Sequence, residues 1–400
     1  MLDGETMDDS LWSHLPPDIV ADVLVRLPVK SLCRFKCVSP SWKTLISSPQ
    51  FAKTHLHIAI ATNKPPKALL RSSSDAPYFV YLADANPSSY ALYSVDLPDA
   101  NPTGEKLGTL PAERFGEWLM ASKPFNGLLL VHGISYEPNF LSNPFTRECK
   151  KLPKSPFSDI NSNEGSRYPL RGFGYDSCTD DYKVVMVRND DTDTDDVAVY
   201  SLKTDAWSII QVSHKYLEPQ TGVYLNDRLH WLCRYNDMNG IAFDLSDQVF
   251  REIQLPDYEL ECARLVVLRG CLCLVCFLDN DEGAEVWMMN KYGVTESWTK
   301  FRIATPVMYI HRVLYLSAQD EFVLSVLIRI TGEDGEIVGD ESNENQLVLY
   351  NLKKETARVM IVPGIPSGFA FVGNSVETLL SPNHGGQIMR QCEASSCESS

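Results

Sequence analysis

Residues 15–51 read LPPDIVADVLVRLPVKSLCRFKCVSPSWKTLISSPQF, and this stretch decides the fold of the N-terminal part of the chain. Its apolar residues recur at helical spacing behind Pro16, which suits a first helical turn. Pro28 interrupts the pattern, and Ser39 followed by Pro40 is typical of the N-cap and first turn of a helix. The stretch therefore predicts three short helices.

Apolar side chains form one face on each predicted helix. These are Ile19, Val20, Val23, Leu24 and Leu27 on the first helix, Leu32, Phe35 and Val38 on the second, and Trp42, Leu45 and Ile46 on the third. Three short helices enclose little core, so a unit of this size needs support from a neighbouring domain or a partner. Part of its apolar surface is expected to stay open for contact with another protein.

This stretch resembles an F-box, the motif that joins a substrate receptor to a ubiquitin ligase. The matching positions are Leu15, Pro16, Ile19, Leu24, Leu27, Pro28, Leu32, Val38 and Trp42. The resemblance implies that these residues bind a Skp-type adaptor, which links to a cullin scaffold and a RING protein. The alternative is that they are the core of the helical unit, and some of them must have that role.

The rest of the chain has short alternating strands separated by Asp, Asn, Gly and Pro clusters, which is typical of a mainly β fold. One sequence pattern recurs at intervals of about 45 to 60 residues, which is the period of four-stranded propeller blades. The pattern consists of a strand, a polar turn and a second strand. Five copies are clear: LSNPFTRECKKL from Leu141, VYSLKTDAWSII from Val199, AFDLSDQVFREI from Ala242, WMMNKYGVTESWTKF from Trp287 and LYNLKKETARVM from Leu349. A weaker copy at Tyr90 and a closing strand near residues 367–381 allow six or more blades. A two-sheet sandwich is the competing architecture, but it does not require a long-period repeat.

A second resemblance covers roughly residues 78–380. The segments RGFGYDSCTDDYKVV at Arg171, GIAFDLSDQVFREIQLP at Gly240, GCLCLVC at Gly270 and VWMMNKYGVTESWTKF at Val286 are similar to the plant F-box-associated interaction domain. That resemblance implies a kelch-like β-propeller that binds a target protein. Relatives of this kind include immune-regulating and S-locus F-box proteins, so an immune receptor or another regulatory protein is the expected class of target.

The predicted fold class is therefore mainly β with a small α N-terminal domain, a three-helix F-box followed by a kelch-like β-propeller. The predicted domains are an acidic disordered N-terminus (1–10), the F-box (11–55), a linker (56–77), the F-box-associated propeller-like domain (78–383) and a disordered tail (384–400).

Composition narrows the functional classes. The formal net charge of -16 would repel nucleic acid phosphates, so nucleic acid binding is not expected. The longest apolar run, from Leu265, is too short to span a bilayer and contains Arg269, and the acidic opening MLDGETMDDS lacks the features of a secretory signal. The expected location is the cytoplasm, the nucleus or both, without membrane insertion. The odd count of 11 cysteines favours free thiols.

Two groups of residues have metal-like spacing. Asp191, Asp193 and Asp195 match the first ligands of a calcium loop, but Asp196 stands where that loop needs glycine, so a solvated loop is favoured. Cysteines 271, 273 and 276 lie on one strand, with the first two on one face and the third on the other. Zinc needs four convergent ligands, so buried core thiols are favoured and no metal site is predicted.

No residue is predicted to be catalytic and no cofactor is expected. His132 and His230 lie in apolar strands without a visible catalytic partner, which favours hydrogen-bonded buried histidines. The chain also lacks the common hydrolase and phosphate-binding motifs.

These observations predict the non-catalytic substrate-recognition subunit of an SCF-type cullin-RING E3 ubiquitin ligase, which selects a target for ubiquitination and proteasomal degradation. Five acidic or polar loops are the candidates for binding the target: SPFSDINSNEGSRYP from Ser155, RNDDTDTDD from Arg188, RYNDMNGI from Arg234, LDNDEGAE from Leu278 and TGEDGEIVGDESNEN from Thr331. The alternatives are a ligase-independent F-box scaffold and a propeller-based carbohydrate binder or enzyme.

Overall fold

The computed structural model describes a helical unit followed by a ring of β-sheets. The described residues are 16–62, 66–72, 91–97, 102–109, 119–133, 139–158, 170–188, 195–212, 221–232, 240–256, 263–278, 283–304, 308–328, 345–365, 369–383 and 389–390. Leu15, the predicted acidic N-terminus and most of the predicted C-terminal tail lie outside them.

The helical unit has one helix more than predicted. It comprises α1 (Pro17–Leu24), α2 (Val29–Phe35), α3 (Pro40–Ile46) and α4 (Pro49–Ala61). The Ser39 hydroxyl accepts a hydrogen bond from the backbone N–H of Trp42 at 3.2 Å, as expected for the N-cap of α3. Ser48 and Pro49 repeat this signal at the start of α4, where the Ser48 hydroxyl accepts from the N–H of Phe51 at 3.2 Å. The prediction of three helices was therefore incomplete.

The strands form six sheets, which are the blades of the propeller. Blade one has β1 (Lys67–Ser72), β2 (Ala91–Asp96) and β3 (Gly104–Thr109); blade two has β4 (Leu119–Ala121), β5 (Leu129–Gly133), β6 (Asn139–Asn143) and β7 (Glu148–Lys151). Blade three has β8 (Leu170–Asp176), β9 (Asp181–Val187), β10 (Asp195–Ser201) and β11 (Ala206–Val212); blade four has β12 (Val223–Leu225), β13 (Arg228–Leu232), β14 (Gly240–Asp244) and β15 (Phe250–Ile253). Blade five has β16 (Ala263–Leu268), β17 (Cys271–Phe277), β18 (Ala284–Met289) and β19 (Trp298–Ile303), with a 3₁₀ turn at Thr295–Ser297. Blade six has β20 (Met308–Leu316), β21 (Glu321–Ile328), β22 (Asn345–Asn351) and β23 (Thr356–Met360), and β24 (Phe369–Ser375) and β25 (Met389–Arg390) follow.

The two ends of the propeller domain close the ring together. β24 pairs antiparallel with β1, with Leu69 opposite Gly373, and so becomes the innermost strand of blade one. This confirms the closing strand predicted near residues 367–381. β25 pairs with β7 at the outer edge of blade two, within the segment 384–400 that was predicted to be disordered. The predicted linker at 56–77 likewise contains the end of α4 and strand β1.

Tight turns join the first and second strands of several blades. Asn226 and Asp227 both have positive φ, 51° and 58°, and the pair Arg269 and Gly270 has 51° and 72°. Two consecutive positive φ values give the type I′ geometry that suits the twist of a two-residue hairpin. These turns occur in two similar segments, LNDRLHWLC from Leu225 and LRGCLCLVC from Leu268, in which a polar or glycine pair precedes an apolar strand.

Antiparallel pairing gives the ring two different faces. In blades two to six the turns from the first to the second strand and from the third to the fourth lie at one edge, such as residues 177–180 and 202–205 in blade three. In blade one, whose first strand is β24, the connection from β2 to β3 lies at this edge. We call this edge the turn face. The connections from the second to the third strand, and those between blades, start and end at the opposite edge, which we call the loop face.

The helical unit packs on the turn face. One cluster of buried apolar side chains joins it to the propeller, with Leu32 and Phe51 on the helices and Leu128, Leu141 and Leu379 on the blades. Burying one such side chain contributes about 1.5–3 kcal/mol, so this shared core holds the two parts together.

Two ion pairs lie at the margin of this contact. Lys30 pairs with Glu105 of blade one, and Lys53 pairs with Asp180 in the first turn of blade three. All four side chains are substantially exposed, so each pair contributes at most about 1 kcal/mol. The apolar cluster therefore provides most of the stability of the junction.

A buried ion pair within blade three forms hydrogen bonds to blade four. The Asp176 carboxylate is fully buried and accepts hydrogen bonds from Lys183 Nζ at 2.7 Å and from the Ser246 hydroxyl at 2.7 Å. Lys183 Nζ also donates to the carbonyl oxygen of Leu245 at 2.7 Å. Burial would raise the pKa of Asp176, but the hydrogen bonds from Lys183, Thr179 and Ser246 hold it well below its usual value.

We expect Asp176→Asn to lower the free energy of unfolding by about 3 kcal/mol at pH 7, because it leaves the buried Lys183 ammonium without its counter-charge. The depressed pKa of Asp176 means that this stability is present above about pH 4 and is lost as the pH falls further. Urea unfolding at pH 7 and at acidic pH measures both effects. The control is Asp247→Asn, which removes an exposed pair with Arg251 and should cost less than about 1 kcal/mol. Equal losses for the two variants would contradict this account.

Candidate partner-binding surfaces

Several large apolar side chains of the helical unit are exposed to solvent. Ile19 and Val23 lie one turn apart on α1 with 48% and 54% of their surface exposed, and Val38 in the corner between α2 and α3 is 62% exposed. Pro16 and Pro28 are exposed as well. Exposed apolar residues of this size on so small a unit are typical of a contact site.

The remaining predicted adaptor-binding residues lie deeper. Leu24 and Leu32 are 2% and 0% exposed and belong to the cluster shared with the propeller. Leu27 and Trp42 are half-buried and pack against that cluster. In this conformation Leu24 and Leu32 support the surface instead of forming it. Among the described positions of the predicted set, six have side-chain surface that is exposed or half-exposed to solvent: Pro16, Ile19, Leu27, Pro28, Val38 and Trp42.

Local contacts fix the two half-buried positions. The Trp42 ring lies edge-on to Phe35, with 5.6 Å between ring centroids, so α2 and α3 hold its orientation. His55 Nε2 on α4 donates a hydrogen bond to the carbonyl oxygen of Leu27 at 3.0 Å. The fourth helix, α4, thus positions the turn between α1 and α2.

Val23 is an exposed residue that the predicted adaptor-binding set omits. It follows Ile19 by four residues on α1, so both side chains lie on the same face of the helix. Both residues were assigned to the apolar face of the first predicted helix. The helical spacing of Ile19 and Val23 in the sequence therefore indicated that Val23 lies on the same exposed face as Ile19.

The loop face carries the ends of all five candidate target-binding segments. The segments at Arg188, Arg234, Leu278 and Thr331 connect the second and third strands of blades three to six. The segment at Ser155 connects blade two to blade three. Most residues of these segments lie outside the described part of the chain, and it is the strand ends on either side that lie at the loop face. At the base of one of them, Arg188 pairs with Asp196 at 3.3 Å.

The two candidate surfaces therefore differ in position and in chemistry. The helical unit lies on the turn face and exposes apolar side chains. The acidic segments begin and end on the loop face. The two surfaces therefore lie at opposite edges of the ring.

The cysteine and histidine candidates have structural surroundings. Cys273 is buried between blades five and six, and Cys271 packs against the same cluster, whereas Cys276 is buried between blades four and five. This confirms the predicted division between the faces of β17. His230 is buried, with Nδ1 2.9 Å from the carbonyl oxygen of Val223 and Nε2 2.7 Å from the Tyr292 hydroxyl. Burial lowers the pKa of His230 to about 4, so the imidazole is neutral at physiological pH.

Within the described ranges, no three histidine, cysteine or acidic side chains form a group that could hold a metal ion. Asp191 and Asp193 lie outside those ranges, and Asp195 begins β10. Of the helices that the structure describes, none has the length and apolar character needed to cross a membrane.

Comparison with known proteins agrees with both parts of the fold. The F-box domain matches residues 12–54, and the F-box associated beta propeller domain matches residues 86–369, which is more than half of the chain. This chain belongs to the F-box-associated β-propeller family. The predicted resemblance to plant F-box proteins with this domain is confirmed.

The chain is similar to F-box proteins from Arabidopsis thaliana over most of its length. The F-box protein CPR1 is 28% identical over 89% of this chain and 86% of its own length. The F-box/kelch-repeat protein At3g23880 is 29% identical over 78% of this chain and 86% of its own length. The F-box protein At3g07870 is 26% identical over 92% of both chains. Membership of the family thus rests on both domains of the chain.

We expect core and surface positions of the F-box to respond differently to truncation. Leu32→Ala should lower the free energy of unfolding by about 2–5 kcal/mol because it leaves a cavity in the shared cluster. Ile19→Ala should change it by no more than about 0.5 kcal/mol, since the side chain is half exposed. Urea unfolding of the full chain measures both. A large loss for Ile19→Ala would show that this side chain is needed for folding.

Proposed function

We propose that this protein is the substrate-recognition subunit of an SCF-type cullin-RING E3 ubiquitin ligase. Its F-box binds a Skp-type adaptor, which connects it indirectly to the cullin, and its propeller binds a target protein for ubiquitination and proteasomal degradation. The observation that carries the proposal is the exposure of Ile19, Val23 and Val38 on an F-box whose core is otherwise filled.

The adaptor is proposed to contact the exposed and half-buried predicted residues Pro16, Ile19, Leu27, Pro28, Val38 and Trp42, together with Val23. Leu15 lies outside the described residues, so its assignment to the adaptor-binding set rests on the sequence alone. Leu24 and Leu32 hold α1 and α2 on the propeller. Their substitution is expected to disturb the adaptor site through the fold.

The target is proposed to bind at the loop face. This face lies across the ring from the F-box, so a target can bind while the adaptor is in place. The acidic segments favour a target with a basic patch, because complementary charge speeds encounter. An immune receptor or another regulatory protein remains the proposed class of target.

In this role the chain needs no catalytic residue. It contributes proximity, by holding lysines of the target near a conjugating enzyme that is bound elsewhere on the assembly. The proposed location is the cytoplasm, the nucleus or both, where such an assembly would act.

Val38→Asp is expected to abolish adaptor binding, because it places a charge in an apolar contact. The full-length chain, wild type or variant, is used to pull down a purified Skp-type adaptor. Ile361→Asp is the matched control, since Ile361 is 82% exposed on the propeller, and it should bind like the wild type. Circular dichroism establishes that both variants are folded. Undiminished binding by folded Val38→Asp would contradict the proposed adaptor site.

The same variant tests the role in degradation. A folded Val38→Asp chain keeps the propeller and should bind the target without delivering it to the ligase. Target half-life in cells should therefore lengthen relative to the wild-type chain, and the target should still co-purify. A point substitution is preferable to deletion of the F-box, because deletion would expose the apolar cluster on the turn face. Unchanged half-life with lost adaptor binding would favour a ligase-independent scaffold.

A further inference from the structure

Basic side chains meet in the central channel of the propeller. Lys123 follows β4 of blade two, yet its Nζ donates a hydrogen bond to the carbonyl oxygen of Leu265 on β16 of blade five at 2.8 Å. Blades two and five lie opposite each other in a ring of six, so the Lys123 side chain crosses the channel. The innermost strands of neighbouring blades contact one another around this channel.

Two arginines approach the same place. Arg264 precedes Leu265 on β16, and its guanidinium carbon lies 5.6 Å from the centre of the Phe277 ring, which holds it in position. Arg312 projects from β20 of blade six, where the pairing with β21 is shifted by a bulge around His311. Bulges redirect side chains, and they are frequent next to functional sites.

The positive charges are close enough to disfavour one another. Burial, and after it the charges of Arg312 and Arg264, together lower the pKa of Lys123 to about 7. Burial and the neighbouring Arg264 and Arg71 lower the pKa of Arg312 to about 10. Burial and the same two arginines, Arg312 and Arg264, lower the pKa of His311 to about 4, so it stays neutral at physiological pH.

No negative charge from the described residues compensates this cluster. None of their carboxylates forms an ion pair with Lys123, Arg264 or Arg312. The Nε atom of Arg312 is buried without a hydrogen-bond partner within that part of the chain. Unpaired charge in a partly buried place is costly, and buried donors are normally satisfied. The chain is acidic overall, at -16, so this cluster does not follow from its composition.

We propose that the channel binds a phosphate-class anion between Lys123, Arg264 and Arg312. Arginine presents its N–H groups as a planar fork that matches phosphate oxygens, and a lysine ammonium adds a point charge. Three cationic groups around one space match a doubly charged phosphate better than a singly charged carboxylate. Arg264 is exposed and lies beside the loop-face end of β16, so an anion can enter from the loop face.

The site goes beyond the proposed role as a ligase receptor. Its occupant is either a free phosphate ester or a phosphorylated side chain presented by the target. The two sources share one chemistry, a phosphate held by the same three residues. Loss of adaptor binding would leave this site untouched, so the two proposals can fail separately.

The test measures thermal unfolding and calorimetric binding of the full-length chain with inorganic phosphate. Acetate and chloride at equal ionic strength serve as the comparison anions. Phosphate should raise the midpoint of unfolding more than either, and calorimetry should show one saturable site. Absence of a phosphate-specific rise, or an equal rise with acetate, would overturn the proposal.

Substitutions locate the binding to the channel. Lys123→Met and Arg312→Met should each weaken phosphate binding about tenfold or more, since each removes a charge-assisted hydrogen bond. Arg358→Met is the matched control, because Arg358 is exposed on the outer strand β23, and it should bind like the wild type. Without phosphate, the two channel variants should unfold at the wild-type temperature or above, because repulsion is removed.

A further variant, at an exposed position, is needed in case substitution of Lys123 or Arg312 impairs folding. Arg264→Gln changes an exposed side chain and should also weaken phosphate binding about tenfold. Unchanged binding by this folded variant would overturn the assignment. Phosphorus-31 NMR of material released by denaturing the wild-type protein from its native cells distinguishes the sources. A released ester identifies a free ligand, and phosphate binding without one identifies a phosphorylated target side chain.

Discussion

The apolar cluster between the helices and the turn face is the constraint on which the arrangement of this protein depends. Leu32 on α2 and Phe51 on α4 pack in the same cluster as Leu128 and Leu141 of blade two. The four helices alone are too small to enclose a full core, so the propeller completes it. Because the cluster covers the inner side of the helical unit, the side chains that remain exposed, such as Val38, lie on its outer side.

Ring closure holds the propeller together at blade one. β24 pairs with β1, so the last and first strands of the propeller hold blade one together. The tight turns and the buried pair of Asp176 with Lys183 lie towards the turn face, where blades and helices meet. The strand ends that flank the acidic segments lie at the opposite edge, the loop face. The paired blades therefore provide a scaffold for the segments that connect the loop-face strand ends.

Much of this organisation was predictable from local patterns. The proline and serine signals around Pro28 and Ser39 mark the helix boundaries, and the repeated strand patterns predict the blades. Two kinds of information were out of reach. Leu24 and Leu32 match the F-box pattern as well as Ile19 does, and only packing on the propeller shows that they are buried. Lys123 and Arg312 are 189 residues apart in sequence, and ring closure brings them to the same channel. Periodicity within single elements cannot reveal either relation.

Hydrogen–deuterium exchange of the full chain, alone and with a bound Skp-type adaptor, measures whether the adaptor binds the exposed side of the F-box and leaves the loop face free. Exchange should slow in α1 and in the corner between α2 and α3, and it should stay unchanged at the loop-face ends of β9, β13, β17 and β21. Protection at those strand ends, with none in α1, would contradict the account.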